Sequence, residues 1–105
     1  LASADAIAKE LTEAVINDLS LKKGSEVILL VNGFGGTPMI ELYLMVNAAR
    51  KILAHAGVKV IRFLTGSYVT SLEMAGCSIT VTAVDSETIE LWDAAVHTPA
   101  LRWGM

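Results

Sequence analysis

The sequence predicts an α/β domain, a two-layer sandwich in which helices cover a short mixed sheet with a right-handed strand-helix-strand crossover. Three observations carry that prediction. Val27 to Val31 is an unbroken β-rich apolar run, as expected of a strand covered on both faces. A helical apolar stripe follows it, and a second apolar run, Val58 to Leu64, follows the stripe. With 105 residues, the chain has the length of one domain, residues 1–105, and material for one modest core.

The first element is an amphipathic helix. Ser3 is placed to cap it, and Ala4, Ile7, Ala8, Leu11, Ala14 and Val15 recur at helical spacing through Asp18,. Lys22, Lys23 and Gly24 break the pattern, and a strand is expected over 26–32. Asn32 to Pro38 then reads as a glycine-rich turn into a second helix, with Thr37 as its cap and Pro38 at its first helical position, where the missing N–H costs nothing,.

This second helix should run to about Ala56, with Gly57 just past its end,. Leu42, Met45, Val46, Ala49, Ile52, Leu53 and Ala56 share its apolar face,. Ile40 and Leu44 fall outside that stripe, which points to contact with another lobe or subunit,. Val58 to Leu64 is the second strand. The pattern between Tyr68 and Gly76 is irregular, and Ser78 to Val84 then alternates Ile79, Val81 and Ala83 against Ser78, Thr80 and Thr82, a strand with one wetter face,. Asp85 or Ser86 should cap a short helix through Trp92, followed by an irregular tail from Thr98,. A fourth strand could come from outside the chain.

Composition narrows the function. Hydrophobic residues make up 53% of the chain and charged ones 18%, with a mean hydropathy of +0.55, more apolar than an ordinary soluble domain. Spanning a membrane takes about 20 consecutive apolar residues, and runs such as Val27 to Val31 stop far short, so the surplus points to protein contacts. A net charge of -3 with no basic stripe argues against nucleic acid, whose phosphates call for clustered Lys and Arg. The single cysteine, Cys77, cannot form an internal disulfide, which favours a reducing, cytoplasmic setting,. The chain opens at Leu1 without an initiating Met and enters a helix almost at once, which suggests a fragment.

The strongest site candidate is the turn itself. Gly33, Gly35, Gly36 and Thr37 lie between a strand and a helix N-terminus, where backbone N–H groups can face an anion,. The Lys-Ser/Thr ending of a phosphate loop is absent, however, and Pro38 removes one donor, so a nucleotide site is not expected. The simpler role is a tight turn needing backbone freedom and close helix packing. His55 reads as a solvated residue near a helix end, and His97 has no recognisable nucleophile or partner His around it,. Two His and one Cys at this spacing do not make a zinc site,. Cys77 reads as a structural thiol. Glu73, Asp85, Glu87 and Asp93 read as turn and cap carboxylates, and Trp92 and Trp103 as packing anchors,. No catalytic residue is assigned.

Three ordered stretches carry a family likeness. LVNGFGGTPMIELYLMVNAA, then GVKVIRFLTGSYVTSLEMAGCSITVTAVDSETIELWDA, then VHTPALRWG resemble the end of the substrate-binding K-type subunits of dihydroxyacetone (glycerone) kinases. Members of that family typically show N-G-L-G-[GA]-T-P, G-x-[YF]-x-T-S-L-[DE]-M-[AT]-G-x-S-I-T and L-W-D-A-P-x-x-T-x-A-L-x-W, which Asn32 to Pro38, Gly66 to Thr80 and Leu91 to Trp103 follow in order. Phe34, Glu73 and Ala95 stand where Leu, Asp and Pro are common.

The resemblance implies a C-terminal lobe of a transferase that phosphorylates dihydroxyacetone, or a related short-chain ketose, in glycerol metabolism. It also implies that the substrate carbonyl is held as a hemiaminal by a histidine of an upstream G-x-H-G-E-P-G motif, with further polar groups from a G-G-G-S-G-H-E-P lobe. Neither motif occurs in this chain, so neither His55 nor His97 inherits that role. ATP or ADP with magnesium is expected on a separate L-type domain or subunit, and the implied partners are the upstream K-type lobe, the L-type unit and a second copy in a homodimer. Non-catalytic coactivators that bind the ketone share this fold, and a free-standing interaction module is a third reading.

Overall fold

The computed structural model describes residues 3–71 and 73–104. The order of elements is α1 (Ala4–Leu19), β1 (Glu26–Gly35), α2 (Met39–His55), β2 (Lys59–Gly66), β3 (Ala75–Ala83), α3 (Ser86–Asp93), β4 (Val96–His97) and β5 (Arg102–Trp103). The sheet is ordered β2-β1-β3, with β1 parallel to β2 and antiparallel to β3. This is the mixed α/β sheet that the sequence predicts. β1 and β2 are the parallel neighbours joined through α2, and their register steps between Val27 and Ile28 so that Ile61 is left without a ladder partner,.

Burial explains why β1 is central. Val27, Leu29 and Val31 are completely buried and Ile28 nearly so, as a continuous apolar run requires. Val27, Leu29 and Val31 meet Leu42, Met45, Val46, Ala49 and Leu53 of α2, and Val58 at the start of the next segment, in one core. α1 packs along α2 and reaches β3. Ala8 and Thr12 are the buried positions of that helix and Val15 and Ile16 pack partly buried against the core, whereas Ile7, Leu11 and Leu19 stay well exposed.

Capping follows local chemistry. The Ser3 hydroxyl accepts from the Ala6 N–H at 3.1 Å, which satisfies an orphan donor of the first turn. Gly57, at φ +77°, ends α2, while the Gly57 and Val58 N–H groups close onto Ala54 and Leu53 carbonyls,. Asp85 caps α3 by accepting from both the Thr88 N–H at 2.9 Å and its hydroxyl at 2.8 Å.

Three expectations are corrected. β1 runs through Gly35 rather than stopping at Asn32, because Gly33, Phe34 and Gly35 pair with Cys77, Gly76 and Ala75 of β3; strand pairing overrides the glycines' weak β preference. Thr37 does not cap α2. Pro38 holds that position without a side-chain bond, and the Thr37 hydroxyl instead bridges the Gly76 carbonyl (2.8 Å) and N–H (2.7 Å). The tail is not irregular either. β4 and β5 form a miniature hairpin whose turn is closed by the Thr98 hydroxyl, accepting from Leu101 N–H at 3.0 Å. Its Trp103 ring lies 5.5 Å from Trp92 and donates to the Ala94 carbonyl at 2.8 Å.

Two carboxylates give the fold an acid dependence. Hydrogen bonds from Thr88 hold Asp85 below the usual carboxylate range, and the hydrogen bonds and charge of Arg62, at 2.7 and 2.8 Å, do the same for Asp93. A carboxylate whose folded pKa is depressed contributes stability above its unfolded pKa of about 3.9 and loses it as pH falls through the folded value. The urea midpoint is therefore expected to drop as pH is lowered from about 5. The Asp85→Asn, Asp93→Asn double variant should flatten that slope measurably; an unchanged slope would mean that these two groups do not carry it.

Candidate functional site

In open α/β sheets ligands gather beyond the carboxyl ends of parallel strands, and here the ends of β1 and β2 carry the chain's densest polar network. Its centre is Asn32, 5% exposed. The Asn32 Oδ1 accepts from the Tyr68 N–H at 2.8 Å and the Val69 N–H at 3.0 Å, while its Nδ2 donates to the Val69 carbonyl at 2.6 Å. Two N–H donors converging on one atom fix the orientation of the amide. One buried side chain, placed where the parallel β1–β2 ladder ends, thus pins the loop that follows β2.

The glycines that follow Asn32 lock the same loop further along. The Gly35 N–H donates to the Thr70 hydroxyl at 2.6 Å, the Gly36 N–H to the Met74 carbonyl at 3.0 Å and the Thr37 N–H to the Phe34 carbonyl at 3.0 Å. The donors that suggested an anion cradle are thus engaged within the chain. Close approach accounts for the glycines: a Cβ on Gly33 would lie 2.7 Å from a Leu42 methyl, and one on Gly35 would lie 2.3 Å from the Ser71 carbonyl oxygen. A Cβ on Gly66 would lie 2.9 Å from the Tyr68 ring. Leu72, in the same loop, lies outside the described residues.

The network presents apolar side chains. Val69 is 72% exposed, and Tyr68 and Met74 are also open. Ile40 and Leu44, singled out from the helical pattern, are exposed beside Met39 and Tyr43 in the first turns of α2. Sequence reasoning weighed the glycines and missed Asn32. The signal available was a lone amide ending an apolar strand run, the usual sign of a buried polar group with designated partners.

The remaining candidates are dispersed. His55 is exposed at the end of α2, and His97 is exposed in the terminal hairpin. Cys77 is half-buried on β3, and burial pushes its thiol pKa up, away from reactivity,. Trp92 and Trp103 pack on each other. Among the described residues, no three His, Cys, Asp or Glu side chains are grouped as cation ligands, and no helix is long and apolar enough to cross a membrane.

Comparison with known proteins supplies the context for this geometry. The family model of the Dak1 domain matches residues 1–100. The chain is 52% identical over 84 residues to the dihydroxyacetone-binding subunit DhaK of the PEP-dependent dihydroxyacetone kinase of Escherichia coli, covering 80% of this chain and 24% of that protein. It is 40% identical over 85 residues to the triokinase/FMN cyclase of Rattus norvegicus, covering 81% of this chain and 15% of that one. Among solved structures, a dihydroxyacetone kinase operon co-activator, DhaQ, superposes with a TM-score of 0.85 at 28% identity, over 90% of this chain and 30% of the other. A second, concerned with regulation of the dha operon of Lactococcus lactis, gives the same score. The chain thus spans a quarter or less of the curated relatives described here.

Proposed function

The chain belongs to the Dak1 domain family, and from that premise we propose that it is the C-terminal lobe, residues 1–105, of the dihydroxyacetone-binding subunit of a short-chain ketose kinase. The observation that carries this reading is the high identity to a kinase subunit of which the chain spans only a minor part. The internal chemistry supports it. The polar groups at the sheet end bond to the chain's own loop, and the two histidines lie on separate surface elements. The lobe is a scaffold and contact wall, and the histidine that holds the ketone belongs to another part of the subunit.

Gly33, Gly35, Gly36 and Thr37 act in this reading by shaping the wall: Gly33 and Gly35 through close approaches to Leu42 and Ser71, Gly36 through its N–H bond to the Met74 carbonyl and Thr37 through its hydroxyl on Gly76. The described residues do not fit a magnesium-nucleotide site: the glycine donors face the chain itself and no carboxylates converge. ATP or ADP with magnesium is accordingly assigned to an L-type domain or subunit, which supplies the phosphoryl group. The working assembly comprises the upstream K-type lobe, the L-type unit and a second copy of the subunit, in the cytoplasm.

The test is intact mass after incubation with dihydroxyacetone. The isolated 105 residues are expected to stay unmodified, whereas the chain joined to its upstream lobe gains one triose. A triose on His55 or His97 of the isolated chain would overturn the proposal. A second reading, a ketone-binding coactivator, is favoured by the close superposition on one. Adding an L-type subunit and phosphodonor to the intact subunit separates the two: turnover to the phosphate ester marks a kinase, and ligand binding without turnover marks a coactivator.

A further inference from the structure

One face of the α-layer is built the wrong way round for a chain that ends at its own surface. α1 turns its small residues, Ala8 and Thr12, into the core and leaves Ile7 at 40% and Leu11 at 38% exposed. α2 likewise leaves Leu44 at 54%. Together with Cys77 at the edge of β3, these side chains line a mainly apolar groove of about 720 Å³. Exposed apolar side chains in such a continuous groove mark a contact surface.

The position of the groove selects its occupant. Ala4, the first residue of α1, stands at its rim, so any polypeptide leading into α1 arrives there. The relatives are about four times as long as the stretch matched here. A segment tethered at the rim is held at an effective concentration in roughly the millimolar range, far above what a second copy reaches in free solution.

We propose that the groove between α1, α2 and β3 seats an apolar segment of the polypeptide that leads into α1. This deepens, and rests on, the reading of the chain as one lobe of a longer subunit. The occupant is an apolar helix face or strand, since Ile7, Leu11 and Leu44 offer apolar area and the Thr37 hydroxyl in the lining is already bonded to Gly76.

Cys77 is a built-in probe. Maleimide labelling at pH 8, followed by peptide mass analysis, is expected to modify the half-buried Cys77 slowly but measurably in the 105-residue chain and at least about tenfold more slowly still in the intact natural polypeptide. Leu44→Asp in the intact polypeptide should restore the faster rate, while leaving the melting temperature of the 105-residue chain unchanged because Leu44 is exposed there. Equal rates in the two chains would overturn the proposal. So would protection of the short chain that grows with its concentration, which would assign the groove to a second copy. The family reading fails separately, if the natural polypeptide contains no further lobe.

Discussion

A Gly35→Val chain is expected to lose on the order of 4 kcal/mol of folding stability, a large part of the 5–15 kcal/mol typical of a domain. Two effects add. Gly35 has φ +43°, a left-handed conformation that costs a side-chain-bearing residue about 1–2 kcal/mol and a β-branched one more. The new Cβ would also fall 2.3 Å from the Ser71 carbonyl oxygen and 2.6 Å from that of Met74. Both obstacles are backbone, so no rotamer change relieves them. The loop must move, and with it the bond from the Gly35 N–H to Thr70. Gly36→Ala is the control, because the nearest atom to its Cβ is the same Met74 oxygen at 4.0 Å, and its cost should stay within about 1 kcal/mol. Urea unfolding of the two variants checks the difference; coincident midpoints would show that the loop does not press on Gly35.

How much of this was legible in the sequence depended on whether a feature is local. The unbroken run at Val27 to Val31, the stripe on α2 and the Asp85 cap follow from periodicity and local bonding, and each appears where the pattern put it. Ile40 and Leu44 fell outside the apolar stripe, and both are exposed. Two of the features that escaped depend on residues about forty positions away. Glycines 33 to 35 look like a turn until β3 is laid beside them. Thr37 looks like a cap until Gly76 arrives to occupy its hydroxyl. The tail looks irregular because two-residue strands carry no period, and the Trp92–Trp103 contact and the Trp103 bond to the Ala94 carbonyl give them something to fold against. The family resemblance marked both the glycine segment and the segment Gly66 to Thr80, but gave no reason to join them. The hydrogen bonds give the reason: the two segments are halves of one joint.

That joint turns on Asn32, and Asn32→Ala is expected to cost about 2–4 kcal/mol, since it leaves the Tyr68 and Val69 N–H groups and the Val69 carbonyl without their partner,. The loss should be local before it is global. Amide exchange in residues 67–71 is expected to speed up by about an order of magnitude or more relative to the core of β1, because that loop is held mainly by this side chain and by Thr70,. Asn32→Asp separates donor from acceptor. It keeps an oxygen for the two N–H groups but sets a second oxygen against the Val69 carbonyl, where Nδ2 now lies at 2.6 Å. Only the protonated acid can donate there, so the substituted carboxyl is expected to have a raised folded pKa. A raised folded pKa contributes stability that is present below the unfolded value, about 3.9, and is lost as pH rises through the folded one. The Asn32→Asp chain should therefore gain stability relative to the parent as pH falls toward 4, opposite in sign to the slope set by Asp85 and Asp93. A pH-independent difference between the two chains would mean that the Nδ2 bond to Val69 contributes nothing, and that the loop is positioned by the glycines alone.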